Sequence, residues 1–181
     1  MNRYILADAP GSGKTSVLRV LQAWGYVVVD EAATDVIAHE QSQGHGEPWN
    51  DLTFVDKIIA VQRQRQEEPA GRGVGIQVYD RSPICTLALA HYLDHPITAT
   101  LIGEIDRIIS ERIYDRRVFF IRPIGFVEPT AARTITFEDS LKFERVHEDA
   151  YLTHGFEIVD IPPGAVAERA SRVAVHLQTH T

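Results

Sequence analysis

The feature that most constrains this chain is a short glycine-rich stretch near its start, GSGKT at residues 11–15. It follows an apolar run, YILA at residues 4–7, and precedes a segment in which Val17, Leu21 and Trp24 recur at helical spacing. Glycines let the backbone turn so that successive N–H groups face one anion, and the next helix adds its positive N-terminal end. The pattern therefore predicts a strand, a phosphate-binding loop and a helix.

The residues of this loop have separate expected roles. We expect the nucleotide to be bound by Pro10, Gly11, Ser12, Gly13, Lys14, Thr15 and Ser16. Lys14 is expected to be an exposed cation on the β- and γ-phosphates whose replacement leaves the fold intact, and the Thr15 hydroxyl a ligand of Mg²⁺. Asp8 stands where the pattern GxxxxGK[ST] has its first glycine, so its carboxylate is expected to face the phosphates and weaken binding. The alternative, a flexible loop that only caps a helix, is disfavoured by the strand before it.

Composition limits the class of protein. With 181 residues, of which 44% are hydrophobic, the chain is expected to form a single domain over 1–181. A net charge of −7 argues against general binding to nucleic acids or anionic membranes. The single cysteine, Cys85, excludes an internal disulfide, and we find neither an apolar run long enough to span a membrane nor a leader segment. We therefore expect a cytoplasmic protein.

Apolar runs alternate with helical patterns along the whole chain. The predicted strands are residues 4–7, 26–29, 76–79, 118–121 and 156–161. Strands that alternate with helices predict an α/β fold, here a five-stranded parallel sheet with helices on both faces and ligands at the carboxyl ends of the strands. The Pro-, Gly- and Thr-rich stretch from about 122 to 136 has no clear periodicity and is expected to be a mobile lid.

Acidic residues follow two of the predicted strands. Asp80 ends the third strand, and a rigid carboxylate at this point suits Mg²⁺ bound to a nucleotide. Glu31 follows the second strand and is the expected general base for a substrate hydroxyl, with its neighbour Asp30 as the substitute. Because adjacent strand residues face opposite ways, we expect only one of these two to reach the site. The alternative for each acid is a helix cap.

Arginines and a tryptophan complete the expected site. Arg81, Arg122 and Arg133 are candidates to neutralise the transferring phosphoryl group, with Arg133 and Arg81 favoured, and Arg122 is expected to bind the nucleotide. The alternative for any one arginine is an ordinary surface ion pair. Trp49 and Asp51 are candidates to stack on and hydrogen-bond the substrate, for which Asp30, Glu31 and Arg81 are the other expected contacts. The alternative is a partly buried Trp49 and a helix cap by Asp51.

The order of these motifs along nearly the whole chain resembles that of a known protein family. The matching segments are DAPGSGKT, VVVDEAATDVI, EPWND, VYDRSPICTLALAHYL, FFIRP, Arg133 and HGFEIVDIP. Together they resemble small bacterial P-loop proteins labelled AAA-family ATPases, which are related to the ribosylnicotinamide kinase domain. The YDRS segment is also similar to the acid-Arg-Ser element of deoxynucleoside kinases, and Glu31 looks like their strand-two carboxylate. The resemblance implies a nucleoside-monophosphate-kinase-like fold and ATP-dependent phosphoryl transfer or hydrolysis.

Three functions remain open from the sequence. The leading hypothesis is a kinase that transfers phosphate from MgATP to an unidentified small-molecule hydroxyl, nucleoside-like or another metabolite. The second is a regulatory NTPase or nucleotide-dependent switch that hydrolyses ATP or GTP slowly and acts through a partner. The third is a module that binds nucleotide without turnover. Monomer and homodimer are both compatible with the sequence.

Overall fold

The computed structural model describes residues 2–8, 11–68, 75–123 and 137–178. The elements in chain order are β1 (Asn2–Asp8), α1 (Lys14–Ala23), β2 (Val27–Val29), α2 (Ala32–Ser42), a 3₁₀ turn (Pro48–Asn50), α3 (Phe54–Glu67), β3 (Ile76–Asp80), α4 (Pro83–Tyr92), α5 (Ala99–Ser110), β4 (Arg117–Ile121), α6 (Phe137–Thr153), β5 (Glu157–Ile161) and α7 (Val166–Gln178). The expected lid falls almost wholly on residues 124–136, which lie outside the described residues.

The five strands form one parallel sheet in the order β2-β3-β1-β4-β5. The strand that precedes the glycine-rich loop is central, and its Leu6 lies opposite Asp80 at the end of β3. On the other side of β1, Asp8 lies opposite Ile121 at the end of β4. Because all strands run the same way, the loop and the ends of β3 and β4 meet at one edge of the sheet. The predicted parallel α/β fold is confirmed.

Helices cover both faces of the sheet because side chains alternate along each buried strand. Tyr4 and Leu6 of β1 face α1 and α7, whereas Ile5 and Ala7 face the layer that contains α3, α4, α5 and α6. The run YILA is buried on both faces, which explains why it reads as continuously apolar. None of the helices in the described part of the chain has the length and apolar character that crossing a bilayer requires.

One predicted boundary was wrong in a way that bears on the site. Asp51 does not cap α3: the helix begins at Phe54 with Thr53 as its N-cap, and Leu52, which precedes the helix, is 61% exposed. The Asp51 carboxylate accepts a hydrogen bond from the Thr53 amide at 2.8 Å, which forms a turn immediately before the helix. By contrast, α4 begins at Pro83 directly after its N-cap, Ser82.

The start of α5 offers a test of helix capping in this fold. The Thr98 hydroxyl accepts a hydrogen bond from the Leu101 amide at 3.1 Å and also bonds Asp56 of α3. We expect Thr98→Ala to lower the free energy of unfolding by about 1 kcal/mol because an amide of the first turn loses its acceptor. Urea denaturation monitored by circular dichroism measures this change.

The matched control is Thr100→Ala, two residues further on, where the side chain is exposed. This variant should unfold at nearly the native urea concentration. An equal loss of stability in both variants would contradict the capping role.

Candidate active site

The glycine-rich loop joins β1 directly to α1. Gly11 and Gly13 both have positive φ, at 86° and 83°, which a side chain would disfavour. Gly13 is the N-cap of α1 and no side chain caps this end of the helix. The Lys14 amide donates to the Ser12 hydroxyl and the Ser16 amide to the Gly13 oxygen, so this end of the helix offers an anion mainly its positive dipole. Thr15 and Ser16, in that first turn, are exposed as a ligand-binding role requires.

Lys14 is buried, contrary to the expectation that it lies exposed on the loop. Its side chain is only 4% exposed; its ammonium contacts the Asp80 carboxylate and lies 3.8 Å from Asp8 Oδ1. The amine thus occupies the space between the ends of β1 and β3 instead of pointing into solvent. Burying a lysine is unfavourable unless a carboxylate compensates it, and Asp80 does so here. Lys14 therefore contributes to the fold as well as to any ligand site.

Asp8 is engaged by protein groups, not free to repel phosphates as expected from the loop pattern. Its Oδ1 accepts a hydrogen bond from Arg81 Nη2 at 2.8 Å, and its Oδ2 accepts one from the Ser12 hydroxyl. The Ser12 hydroxyl in turn accepts a hydrogen bond from the Lys14 amide at 3.3 Å. The carboxylate at this position therefore fixes the loop to β3, and its charge is compensated by Arg81.

Arg81 connects the ends of three strands. Its Nε lies 2.6 Å from Glu31 Oε1, and Nη1 and Nη2 donate to the backbone oxygen and the carboxylate of Asp8. Its backbone amide donates to Leu6 O, and its φ of 71° is unusual for a residue with a side chain. Positive φ outside glycine is a strained state that clusters at functional sites. The strain here directs the guanidinium across the strand ends.

Electrostatics keep Glu31 ionised. Burial alone would raise the pKa of Glu31, but Arg81 and Lys14 outweigh it and hold the pKa at about 2. Its side chain keeps 28% of its surface exposed, so a ligand can still reach it. For Asp80, burial raises the pKa above its usual value although Lys14 opposes this. The surroundings thus lower the pKa of Glu31 and raise the pKa of Asp80, although both carboxylates belong to one site.

Several expected site residues do not join this cluster. Asp30 is exposed, and its backbone oxygen accepts a hydrogen bond from Arg65 at 2.7 Å. Trp49 is half-buried and packs against the apolar cluster around Phe54, while the exposed Asp51 pairs with Lys57 at 3.3 Å. The structure therefore brings Glu31, not Asp30, to Arg81. Trp49 is partly buried, as its alternative interpretation has it, whereas Asp51 pairs with Lys57 and does not cap the helix.

Arg122 is also engaged elsewhere. Its guanidinium donates to Asp160 at 2.7 Å and pairs with Glu144 and Glu148 of α6. Since three carboxylates hold it, this geometry does not support the expected contact of Arg122 with the nucleotide. Pro10 and Arg133, the remaining expected site residues, lie outside the described residues.

Two buried groups at the site were missed by the sequence analysis. His147 of α6 directs Nε2 toward Arg81 Nη1 at 3.5 Å, and Arg169 of α7 reaches the Ser12 backbone oxygen at 2.6 Å. For Arg169 a signal existed: it precedes the buried Ala170 and lies four residues before the buried Val173, so it interrupts an apolar helix face. His147 left no comparable signal.

The Lys14–Asp80 pair can be tested by a double-mutant cycle. Lys14→Met should abolish MgATP binding and also lower the free energy of unfolding by about 3 kcal/mol at pH 7, because Asp80 stays buried without its partner. The pKa of Asp80 is then raised further above its unfolded value, so the folded variant binds the extra proton and should regain stability as the pH falls. Denaturant unfolding between pH 5 and pH 8 measures both effects.

The double variant Lys14→Met/Asp80→Asn is the control. It removes the buried charge and should recover most of the lost stability without recovering MgATP binding. No recovery in the double variant would show that the loss comes from packing and not from the unpaired carboxylate.

Comparisons with known proteins bear on the fold and the family of this chain. No curated protein matches the chain in sequence. Among solved structures, a thymidylate kinase from Ehrlichia chaffeensis is similar with a TM-score of 0.64 at 16% identity, covering 98% of this chain and 98% of that chain. A deoxyadenosine kinase from M. mycoides with the products dCMP and a flexible dCDP bound has a TM-score of 0.62 at 12% identity, covering 99% of this chain and 100% of that one. The same enzyme with bound dATP gives 0.59 at 14%, with 99% and 100% covered.

At such identities the likeness shows the fold alone, and it confirms the predicted nucleoside-monophosphate-kinase-like P-loop fold. Residues 3–169 match the model of a family described as an AAA domain. This match extends over most of the chain and confirms the predicted resemblance, including the prediction of a P-loop kinase or ATPase. The chain therefore belongs to the AAA domain family.

Proposed function

We propose that the protein transfers the γ-phosphoryl group of MgATP to a hydroxyl of a small molecule, nucleoside-like or another metabolite. The observation that carries the proposal is the ionised, partly exposed Glu31 carboxylate 2.6 Å from Arg81, at the sheet edge that also holds the loop and Lys14. The loop and the lysine would be enough to bind phosphates. A carboxylate beside them can in addition accept the proton of an acceptor hydroxyl, which phosphoryl transfer to that hydroxyl requires.

The loop and Lys14 are proposed to hold the phosphates. The dipole of α1 and the Lys14 ammonium would attract them, and Lys14 would exchange its contact with Asp80 for the nucleotide. The Thr15 hydroxyl and the Asp80 carboxylate are the oxygen ligands that Mg²⁺ prefers, so they fit this metal. Mg²⁺, when bound, would neutralise charge on the phosphates. Asp80 would be free to take part because Lys14 has moved to the nucleotide.

Glu31 is proposed to accept the proton of the acceptor hydroxyl. A carboxylate whose pKa is about 2 is ionised before the acceptor arrives, so it can orient the hydroxyl by accepting its hydrogen bond. It is a weak base, but the transition state of phosphoryl transfer is loose and asks mainly for positioning and charge stabilisation. Arg81 is the candidate for that charge stabilisation, together with Arg133, whose contribution stays a prediction. The structural likeness to a deoxyadenosine kinase supports a nucleoside-like acceptor.

The second candidate is a nucleotide-dependent switch that hydrolyses ATP or GTP slowly. The specific observation in its favour is the contact of Lys14 with Asp80, because nucleotide binding must break it and so separates two states of the loop. A kinase needs the same exchange. The two functions differ only in whether turnover depends on an acceptor.

We expect ADP release to depend on an acceptor. The measurement is steady-state ADP production from MgATP with and without a panel of nucleosides, nucleoside monophosphates and small alcohols. A kinase should give an increase of roughly 10²-fold or more with its acceptor, since positioning a hydroxyl accelerates transfer far above transfer to water. If the protein slowly hydrolysed MgATP or MgGTP and no compound of the panel accelerated the release of diphosphate, the switch would be favoured instead.

The roles of the two carboxylates predict different losses. Glu31→Gln should leave MgATP affinity nearly unchanged and slow the acceptor-dependent step by roughly 10²-fold, because the base acts only as the hydroxyl loses its proton. Asp80→Asn should make ATP affinity much less dependent on Mg²⁺. Calorimetric titration of ATP with and without Mg²⁺, together with single-turnover assays, measures both.

Asp30→Asn is the matched control, since this neighbouring carboxylate is exposed and does not contact Arg81 among the described residues. It should behave as the native protein in every assay. If Glu31→Gln lost ATP binding and Asp80→Asn kept its metal dependence, the two roles would be reversed.

A further inference from the structure

Arg169 is a buried cation directly behind the glycine-rich loop. It lies in the first turn of α7, and its side chain is among the largest fully buried ones, at 2% exposure. Its Nη1 donates to the Ser12 backbone oxygen at 2.6 Å, and its Nη2 donates to the Arg122 backbone oxygen at 3.0 Å. One guanidinium therefore ties the loop to the end of β4, using backbone oxygens only.

Within the described part of the chain, no carboxylate neutralises this guanidinium at close range. Among the described residues, no acidic side chain lies within ion-pair distance of Arg169, and its buried Nε has no hydrogen-bond partner. Asp8 acts on it only from a distance, and burial lowers the pKa of Arg169. A buried cation without an anion is costly, and a stable fold normally pairs or removes it. This cation lies directly behind the glycine-rich loop, where a bound anion would supply the missing charge.

The geometry of the peptide between Ser12 and Gly13 links Arg169 to that ligand. In a trans peptide the C=O and N–H groups point in opposite directions. Since the Ser12 carbonyl faces Arg169, the Gly13 N–H points the opposite way, away from the guanidinium. A charged donor on the carbonyl polarises the peptide and strengthens its N–H as a donor. A Cβ on Gly13 would lie 3.3 Å from Arg169 Nη1, so the guanidinium packs closely against this residue.

We propose that Arg169 is a positioning residue of the nucleotide site: it fixes the Ser12–Gly13 peptide with its N–H toward the phosphates and adds a buried positive charge behind them. The inference rests on the proposed binding of nucleotide phosphates at this loop. It extends that proposal to a residue of the last helix, 157 positions from Ser12 in the chain.

The test compares Arg169→Met and Arg169→Lys with two controls on the same helix. Arg172→Met removes one charge at an exposed position, and Val173→Ala creates a cavity at a fully buried one. Affinities for MgATP, tripolyphosphate and adenosine are measured by calorimetry, and the melting temperature of each variant is recorded. These assays need no acceptor.

Arg169→Met should bind MgATP and tripolyphosphate roughly tenfold more weakly, with any adenosine affinity unchanged, because one charge-assisted contact to the loop is lost. Arg169→Lys should recover part of this affinity, since an ammonium keeps the charge but cannot reach both carbonyls. Arg172→Met should keep native affinity, and Val173→Ala should lower only the melting temperature.

Native phosphate affinity in Arg169→Met, or an equal loss of affinity in Val173→Ala, would show that Arg169 only stabilises the fold and would overturn the inference. A native protein that binds MgATP but phosphorylates no acceptor would refute the proposed kinase function and leave this inference standing. A native protein that binds neither MgATP nor tripolyphosphate would refute both.

Discussion

The architecture of the site depends on a balance of buried charges at one edge of the sheet. Three carboxylates, Asp8, Glu31 and Asp80, meet the cations Lys14 and Arg81 there, and most of these side chains are nearly inaccessible to water. Each charge is tolerated only because an opposite charge or a donor lies beside it. The conformation of the loop therefore depends on these ion pairs as well as on the glycines.

Adding Arg169 makes three cations against three carboxylates, a set with no net formal charge. Such a set does not attract an anion by its total charge. Affinity for phosphates would therefore depend on the orientation of the individual donors and charges. In the proposed phosphate site, the dipole of α1, the Ser12–Gly13 peptide held by Arg169 and the Lys14 ammonium would provide that direction. In the proposed reaction, Mg²⁺ bound with the nucleotide would lower the charge that the site has to compensate.

Much of the fold was predictable because it depends on local patterns. Val27, Val28 and Val29 read as a strand, and the glycine-rich loop between an apolar run and a helical pattern defines β1 and α1. Alternation of strands and helices was enough to predict a parallel sheet. The spatial order β2-β3-β1-β4-β5 was not readable from periodicity, because periodicity carries no information on which strands are neighbours.

The contacts within the site were less predictable because they join distant parts of the chain. The Asp8 carboxylate meets a guanidinium 73 residues away, and Lys14 meets an acid 66 residues away. A sequence pattern shows that an aspartate replaces a glycine in the loop, but not that Arg81 will cancel its charge. The same limit applies to Arg122, whose carboxylate partners come from α6 and β5.

His147 of α6 lies beside Arg81 and helps to hold its guanidinium in place. Its Nδ1 lies 2.8 Å from the Phe143 backbone oxygen, which can only accept, so Nδ1 carries the proton and Nε2 presents a lone pair toward Arg81. Burial, and then the charge of Arg81, lower the pKa of His147 to about 3, so the ring stays neutral. Arg81 also lies over the Phe143 ring, with 5.8 Å between the guanidinium carbon and the ring centroid. Helix α6 therefore offers Arg81 a neutral, electron-rich surface, and the guanidinium can be shared between Asp8, Glu31 and a ligand without a competing cation beside it.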